Sequence, residues 1–412
     1  MINLSAPVCA GNQPVEVLAM LRKTRLFTPG PTPLLPAAQN AIAAADMHHR
    51  TAEFREIFTR TLADLKTFIG TKNDVLILAS SGSGAMEAAV SNLTSPGEKV
   101  AVLTAGKFGE RWRDLAKAFA CQIELIEVPY GQTFDLREIK SKLDGARVLY
   151  MQATETSTGA RHDVKAIAAL LKGTDTLFVV DAITGLGTTH FEVDDWGIDI
   201  LIGGSQKAVM IPPGLAYLSV SERAWQRMET AKQPRFYFDL RKERKSQTKG
   251  ESAFTPAVAL ICGLAAALDY IRKSGGGNLA DGREALIHNA ETSAAMVRAG
   301  VQALGLKLFA PTCPAAAVTA ILAPAGVDSS AIVKEFRERF AMVVANGQGE
   351  MKGKLFRIAH LGYYDYLDAL GVIGALEHVL LKVAPSHHIE LGAGVRAVQE
   401  VLAGQFAEAA TV

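Results

Sequence analysis

Three short stretches of this 412-residue chain set reactive groups directly after apolar runs. In "IDILIGGSQKAVMIPPGLA" a lone lysine, Lys207, sits between a glycine pair and a proline pair. An amine shielded by apolar walls loses affinity for its proton and becomes a nucleophile able to form a Schiff base. In "TLFVVDAITGLG" Asp181 closes a second apolar run, where a carboxylate needs a partner to offset its desolvation, and a protonated ring nitrogen is one such partner. After a third run, "DVLILA", the turn "SSGSGAMEAAVSNL" enters a helix. Its small residues Ser81, Gly82 and Ser83 would leave backbone N–H groups open to a phosphate at the positive end of the helix dipole. Each signal alone has a plainer reading: a lysine whose head reaches water, a turn aspartate, an N-cap serine.

The elements that must position these groups are legible as a pattern. From about residue 74 to about 220, seven short apolar runs ("DVLILA", "KVAVLT", "QIELIEVP", "RVLYMQ", "TLFVVD", "DILIGG", "LAYLSV") alternate with helical stretches at 84–94, 109–119, 135–144 and 163–172. Runs joined by crossover helices imply an α/β fold whose mostly parallel seven-stranded sheet lies between helices. Ligands of open α/β sheets bind outside the carboxyl ends of the strands, and all three groups fall there. A molecule that needs an amine, an anion cradle and a carboxylate on a ring nitrogen together is pyridoxal 5′-phosphate. Neither GxGxxG nor GxxxxGK[ST] occurs, which disfavours dinucleotide and nucleoside-triphosphate cradles.

After residue 256 the texture changes to long Ala/Leu-rich helices, with strand candidates "AAVTAILA" and "KLFRIAHL" and helices at 328–340 and 366–383. This reads as a smaller α+β C-terminal domain. The expected division is an N-terminal arm at 1–25 packing with the small domain, a large domain at 26–262 and a small domain at 263–412. The basic stretch 232–255, "KQPRFYFDLRKERKSQTKGESAFT", lacks a helix or strand pattern and is expected to be a long loop.

Composition narrows the function further. With 43 Lys+Arg against 42 Asp+Glu, no global field favours nucleic acid or an anionic membrane. The chain shows neither a signal-peptide pattern nor a bilayer-spanning run, and its four cysteines are scattered without metal spacing. The expectation is a cytoplasmic protein with reduced thiols and no metal site.

The sequence resembles the class V aminotransferases of pyridoxal-phosphate fold type I, within them the alanine/serine–glyoxylate or –pyruvate branch. The carrying segments, in the family's order over about residues 25–385, are "FTPGPTPLLP", "SSGSGAMEAAV", "GKFGERW", "ETSTGARHD", "VVDAITGLG", "GGSQKAVMIPPGLA", "FTPAV" and "FRIAHLG". The resemblance implies Lys207 as the Schiff-base lysine that also shuttles the α-proton, and Asp181 as the carboxylate that keeps the pyridine nitrogen protonated. It implies Phe108 as the ring stacked on the cofactor, Thr156 as a hydroxyl near the phenolic oxygen or phosphate, and Ser81, Gly82, Ser83 and Gln206 as phosphate contacts. Thr255 matches a phosphate ligand given by the other subunit of a homodimer, although Ser252 stands where relatives often carry Tyr. Arg357 matches the arginine for the substrate carboxylate, with backbone near Gly30 closing over the same substrate. His49 and Arg50 match a segment near the site in several relatives, and equally a solvated helix start.

The implied reaction is transfer of an amino group from a small L-amino acid to glyoxylate or pyruvate, by ping-pong kinetics. Same-fold enzymes acting on aspartate, ureidoglycine, pyridoxamine or 2-aminoethylphosphonate stay open as alternatives. A cysteine desulfurase is disfavoured, because the loop "NGQGEMKGK" before Arg357 has no cysteine and Gln206 rather than histidine precedes Lys207.

Overall fold

In the computed structural model, which describes residues 22–409, the apolar runs pair as a seven-stranded sheet. Its order is Asp74–Leu78, Ala216–Val220, Ile200–Gly204, Leu177–Asp181, Val148–Gln152, Lys99–Thr104 and Gln122–Glu127. Ala216–Val220 runs antiparallel to both neighbours, and the remaining pairings are parallel. The α/β class and the mostly parallel sheet are as the sequence implied.

Continuous apolar strands suit a sheet covered on both faces. On one face Leu103, Leu149, Met151, Val180 and Leu201 pack with Phe54, Phe58 and Phe68 of the helix Ala52–Ile69. On the other, Val102, Tyr150, Val179 and Ile202 meet Ala85, Ala89 and Val90 of the helix Gly82–Leu93 and Trp112 of the helix Lys107–Ala118. Each large side chain so buried contributes about 1.5–3 kcal/mol. The crossovers bring the residues after Leu78, Thr104, Gln152, Asp181 and Gly204 to one edge of the sheet.

A second, four-stranded sheet has the order Arg25–Phe27, Met342–Asn346, Leu355–Ala359 and Val318–Leu322. The latter two were the expected strand candidates. Arg25–Phe27 is too short to carry a local signal: its three residues pair in parallel with Met342–Val344, more than 300 positions away. Of the expected arm, residues 1–21 lie outside the described residues. The helix Val258–Ser274 runs without a break through position 262, where the sequence suggested a boundary.

The stretch 232–255 corrects the expectation of a long loop, because Leu240–Gln247 is a helix capped by Asp239, which accepts from the N–H groups of Arg241 and Lys242. Its buried face consists of Leu240, Glu243 and Gln247, at helical spacing but mostly polar, so apolar periodicity could not reveal it. Gln247 donates to the carbonyl of Ile77 at 2.7 Å and accepts from its N–H at 3.1 Å, closing the exposed edge of the sheet.

Candidate active site

Lys207 follows the strand Ile200–Gly204 into a tight turn, in which the N–H of Met210 donates to the Lys207 carbonyl at 3.0 Å. The segment 28–32 wraps this turn. Thr32 donates its N–H to the Gln206 carbonyl and its hydroxyl to the Lys207 carbonyl, at 3.2 and 3.0 Å. The lysine side chain is 8% exposed and its Nζ donates to the Pro29 carbonyl. Gly30, at φ +137°, lies against the amine; a Cβ there would come within 2.6 Å of Nζ. A side chain at this position is excluded by both space and backbone conformation.

Burial lowers the Lys207 pKa to about 8; Arg357 and Arg111 push the same way and Asp181 opposes them. Asp181, 5% exposed, is moved up to about 6 by burial, against a hydrogen bond from the Ile183 N–H at 2.8 Å and the charges of Arg111 and Lys207. That bond uses Oδ1, and among the described residues Oδ2 has no hydrogen-bond donor. The arrangement is a shielded amine within electrostatic reach of a carboxylate that keeps one oxygen free.

Beside them begins the helix Gly82–Leu93, whose N-cap Ser81 makes no side-chain capping bond. The Gly84 N–H donates to the Ser81 carbonyl at 2.9 Å, and the N–H groups of Gly82 and Ser83 are left for an external acceptor. Ile183 ties this turn to the lysine: it packs where a Cβ on Gly82 would stand, and against the position of a Cβ on Gly204. Next to Gly204, Gln206 holds a buried Oε1 without a partner, and its amide makes no hydrogen bond among the described residues. Thr156, 2% exposed, donates its hydroxyl to Thr184 at 2.9 Å.

Phe108 stands on the first turn of the helix Lys107–Ala118, with the Arg111 guanidinium 4.9 Å from its ring centroid. Arg357, 3% exposed, reaches in from the second sheet. Its Nε and Nη2 donate to the Asn346 carbonyl at 3.2 and 2.7 Å, and Nη1 donates to the Thr156 carbonyl at 2.9 Å. A guanidinium has five N–H donors, so these three bonds leave one N–H on each terminal nitrogen, the pair a bidentate carboxylate requires. Burial lowers its pKa to about 10, which still leaves it charged at neutral pH.

The structure thus brings Lys207, Asp181, Gly30, Gln206, Ser81, Gly82, Ser83, Phe108, Thr156 and Arg357 to one edge of the sheet. It does not bring Thr255, which is exposed and makes no hydrogen bond among the described residues. His49 and Arg50 lie just before the helix Ala52–Ile69, with no hydrogen bond to this group. Sequence reasoning missed Arg111, three positions after Phe108 and so on the same helix face. It also missed Glu155, a carboxylate at a strand end whose signal went unread beside Thr156. Among the described residues, no group of three or more His, Cys, Asp or Glu side chains could hold a metal ion.

The aminotransferase class-V family model matches residues 36–349, and the chain belongs to that family, with its fold type I architecture. The chain is 39% identical over 390 residues to a soluble hydrogenase small subunit of a Synechococcus strain, covering 93% of this chain and 99% of that one. It is 34% identical over 391 residues to L-aspartate–glyoxylate aminotransferase of Paracoccus denitrificans, covering 92% and 96%. Among solved structures, an aspartate aminotransferase of Thermus thermophilus superposes with a TM-score of 0.80 at 36% identity, covering 87% and 99%. The protein is a class V aminotransferase.

The lowered pKa gives a direct test. Without bound cofactor, labelling of Lys207 by a pulse of amine reagent, read by peptide mass spectrometry, should rise with pH around a midpoint of about 8. A midpoint at the ordinary 10.5 would contradict the burial described.

Proposed function

We propose that this chain uses pyridoxal 5′-phosphate to carry the amino group of a small L-amino acid to glyoxylate or pyruvate in two half-reactions. The observation that carries the reading is the shielded amine of Lys207 set against Asp181, with one carboxylate oxygen unclaimed. The groups present fit the cofactor. The free oxygen of Asp181 suits a protonated ring nitrogen, and the uncapped start of the helix Gly82–Leu93 with the Gln206 amide suits a phosphate. Phe108 offers a ring face and Thr156 a hydroxyl. Bound there, the cofactor supplies an aldehyde carbon that captures amines and a ring that takes up the electron pair of a broken Cα–H bond.

The chain's own residues supply the rest. Lys207 Nζ, whose proton burial makes easier to lose, accepts in its neutral form the proton from the substrate Cα and returns it at the far side of the exchange. Asp181 holds positive charge at the ring nitrogen. Arg357 fixes the α-carboxylate with its two remaining N–H groups, which orients the Cα–H bond. Glyoxylate as acceptor is supported by the name of the Paracoccus relative. Aspartate, named in that relative and in the Thermus structure, is the alternative donor to alanine or serine.

We further place the active site at a homodimer interface, with Thr255 reaching the partner's phosphate and residues 26–262 and 263–412 acting as large and small domains. A cytoplasmic location fits the scattered cysteines.

Lys207→Ala should purify colourless, with unchanged far-ultraviolet circular dichroism; a normal yellow band in that variant contradicts the role of the lysine. Arg357→Ala should raise KM for α-amino acids by roughly 10- to 100-fold, the size expected for a charge-assisted hydrogen-bonded pair, with kcat less affected. An unchanged KM places the carboxylate elsewhere. A panel of alanine, serine and aspartate against glyoxylate and pyruvate ranks the donors.

A further inference from the structure

Glu155 is a fully buried carboxylate with no cation within ion-pair distance among the described residues. Such a group is tolerated only where hydrogen-bond donors replace water. Here its Oε2 accepts from the N–H groups of Phe108 and Gly109, both at 3.1 Å, and Oε1 accepts from the Ser157 N–H at 3.2 Å and from the Ser157 hydroxyl. That hydroxyl in turn accepts from the Lys107 N–H at 3.2 Å. Glu155 and Ser157 therefore bind three consecutive N–H groups that open the helix Lys107–Ala118.

A helix start is ordinarily capped by the residue just before it. At this helix the N-cap is Gly106, which has no side chain to contribute, and the cap comes from a strand end almost fifty positions away. A Cβ at Gly106 would stand 2.5 Å from Cδ of Glu155 and 2.6 Å from Oγ of Ser157. Gly106 thus leaves the room that Glu155 fills. Phe108 rides on the turn so fixed. On the other side of the same three-residue segment, the carbonyl of Thr156 holds Nη1 of Arg357.

We propose that Glu155 is a positioning residue that sets the plane of the Phe108 ring against the cofactor and, through the Thr156 carbonyl, the reach of Arg357 towards the substrate carboxylate. The proposal rests on the pyridoxal phosphate reading of the site. In Glu155→Gln one carboxylate oxygen becomes an NH2 group, which must face either the N–H groups of Phe108 and Gly109 or the N–H and hydroxyl of Ser157. One set of donors then loses its acceptor.

The test is a double-mutant cycle on the dissociation constant of pyridoxal phosphate, using full-length protein with Glu155→Gln, Phe108→Ala and both together. Each single variant is expected to weaken cofactor binding by roughly tenfold, with an altered visible circular dichroism of the bound cofactor in Glu155→Gln. The double variant should be little weaker than the worse single one, because Glu155 acts through the ring. KM for the amino donor should rise more than kcat falls, and Glu155→Asp, which keeps the charge, should recover part of the binding. Additive losses in the cycle, or a Glu155→Gln protein with wild-type cofactor affinity and visible spectrum, overturn the proposal. Should Glu155→Gln fail to fold, Ser157→Ala takes its place in the cycle, with the same non-additivity expected and additivity or no effect counting against it. Wild-type protein that binds no pyridoxal phosphate refutes the reading of the site itself, an outcome separable from the others.

Discussion

Keeping one amine out of water next to one carboxylate is the constraint around which the rest is arranged. Lys207 is walled in by backbone: the carbonyl of Pro29 receives its amine, and Gly30 presses against its side chain. Asp181 alone among the nearby charges raises the lysine's proton affinity, while Arg357 and Arg111 lower it together with burial. The balance leaves an amine whose proton can leave near physiological pH, which a solvated lysine would not offer. The segment 28–32 is a structural requirement in this sense, since without it the amine would meet water.

The sheet serves that constraint by delivering groups from five strand ends to one edge, and the second sheet serves it by delivering Arg357. The two meet at residues 155–157. There the carbonyl of Thr156 holds the arginine while the carboxylate of Glu155 holds the helix that carries Phe108. The wall facing a ring and the anchor for a carboxylate thus share one short, buried piece of backbone. Side chains fixed by such bonds lose little freedom when a substrate arrives, which is how orientation lowers a barrier.

Much of this was legible in the sequence because Lys207, Asp181 and the Ser81–Ser83 turn interrupt apolar runs, and an interruption at a strand end stands out without any knowledge of tertiary contacts. Arg357 was supplied by the family resemblance, through the segment "FRIAHLG". What was not legible depends on contacts distant along the chain. The strand Arg25–Phe27 exists only because Met342–Asn346 lies beside it. The helix Leu240–Gln247 buries Glu243 and Gln247 rather than apolar residues, so hydrophobic periodicity was blind to it. Glu155 caps a helix from across the fold, and nothing near Gly106 in the sequence announces its partner. The resemblance to a family supplied Phe108 and Thr156, which the residues alone would leave as ordinary core positions.

The most direct test of the central claim is to reduce the yellow protein with borohydride, digest it, and locate the phosphopyridoxyl group by mass spectrometry. The account predicts a single modified peptide, spanning "GGSQKAVM", with the added mass on Lys207. A label on any other lysine, or a protein that takes up no cofactor to be reduced, would contradict it.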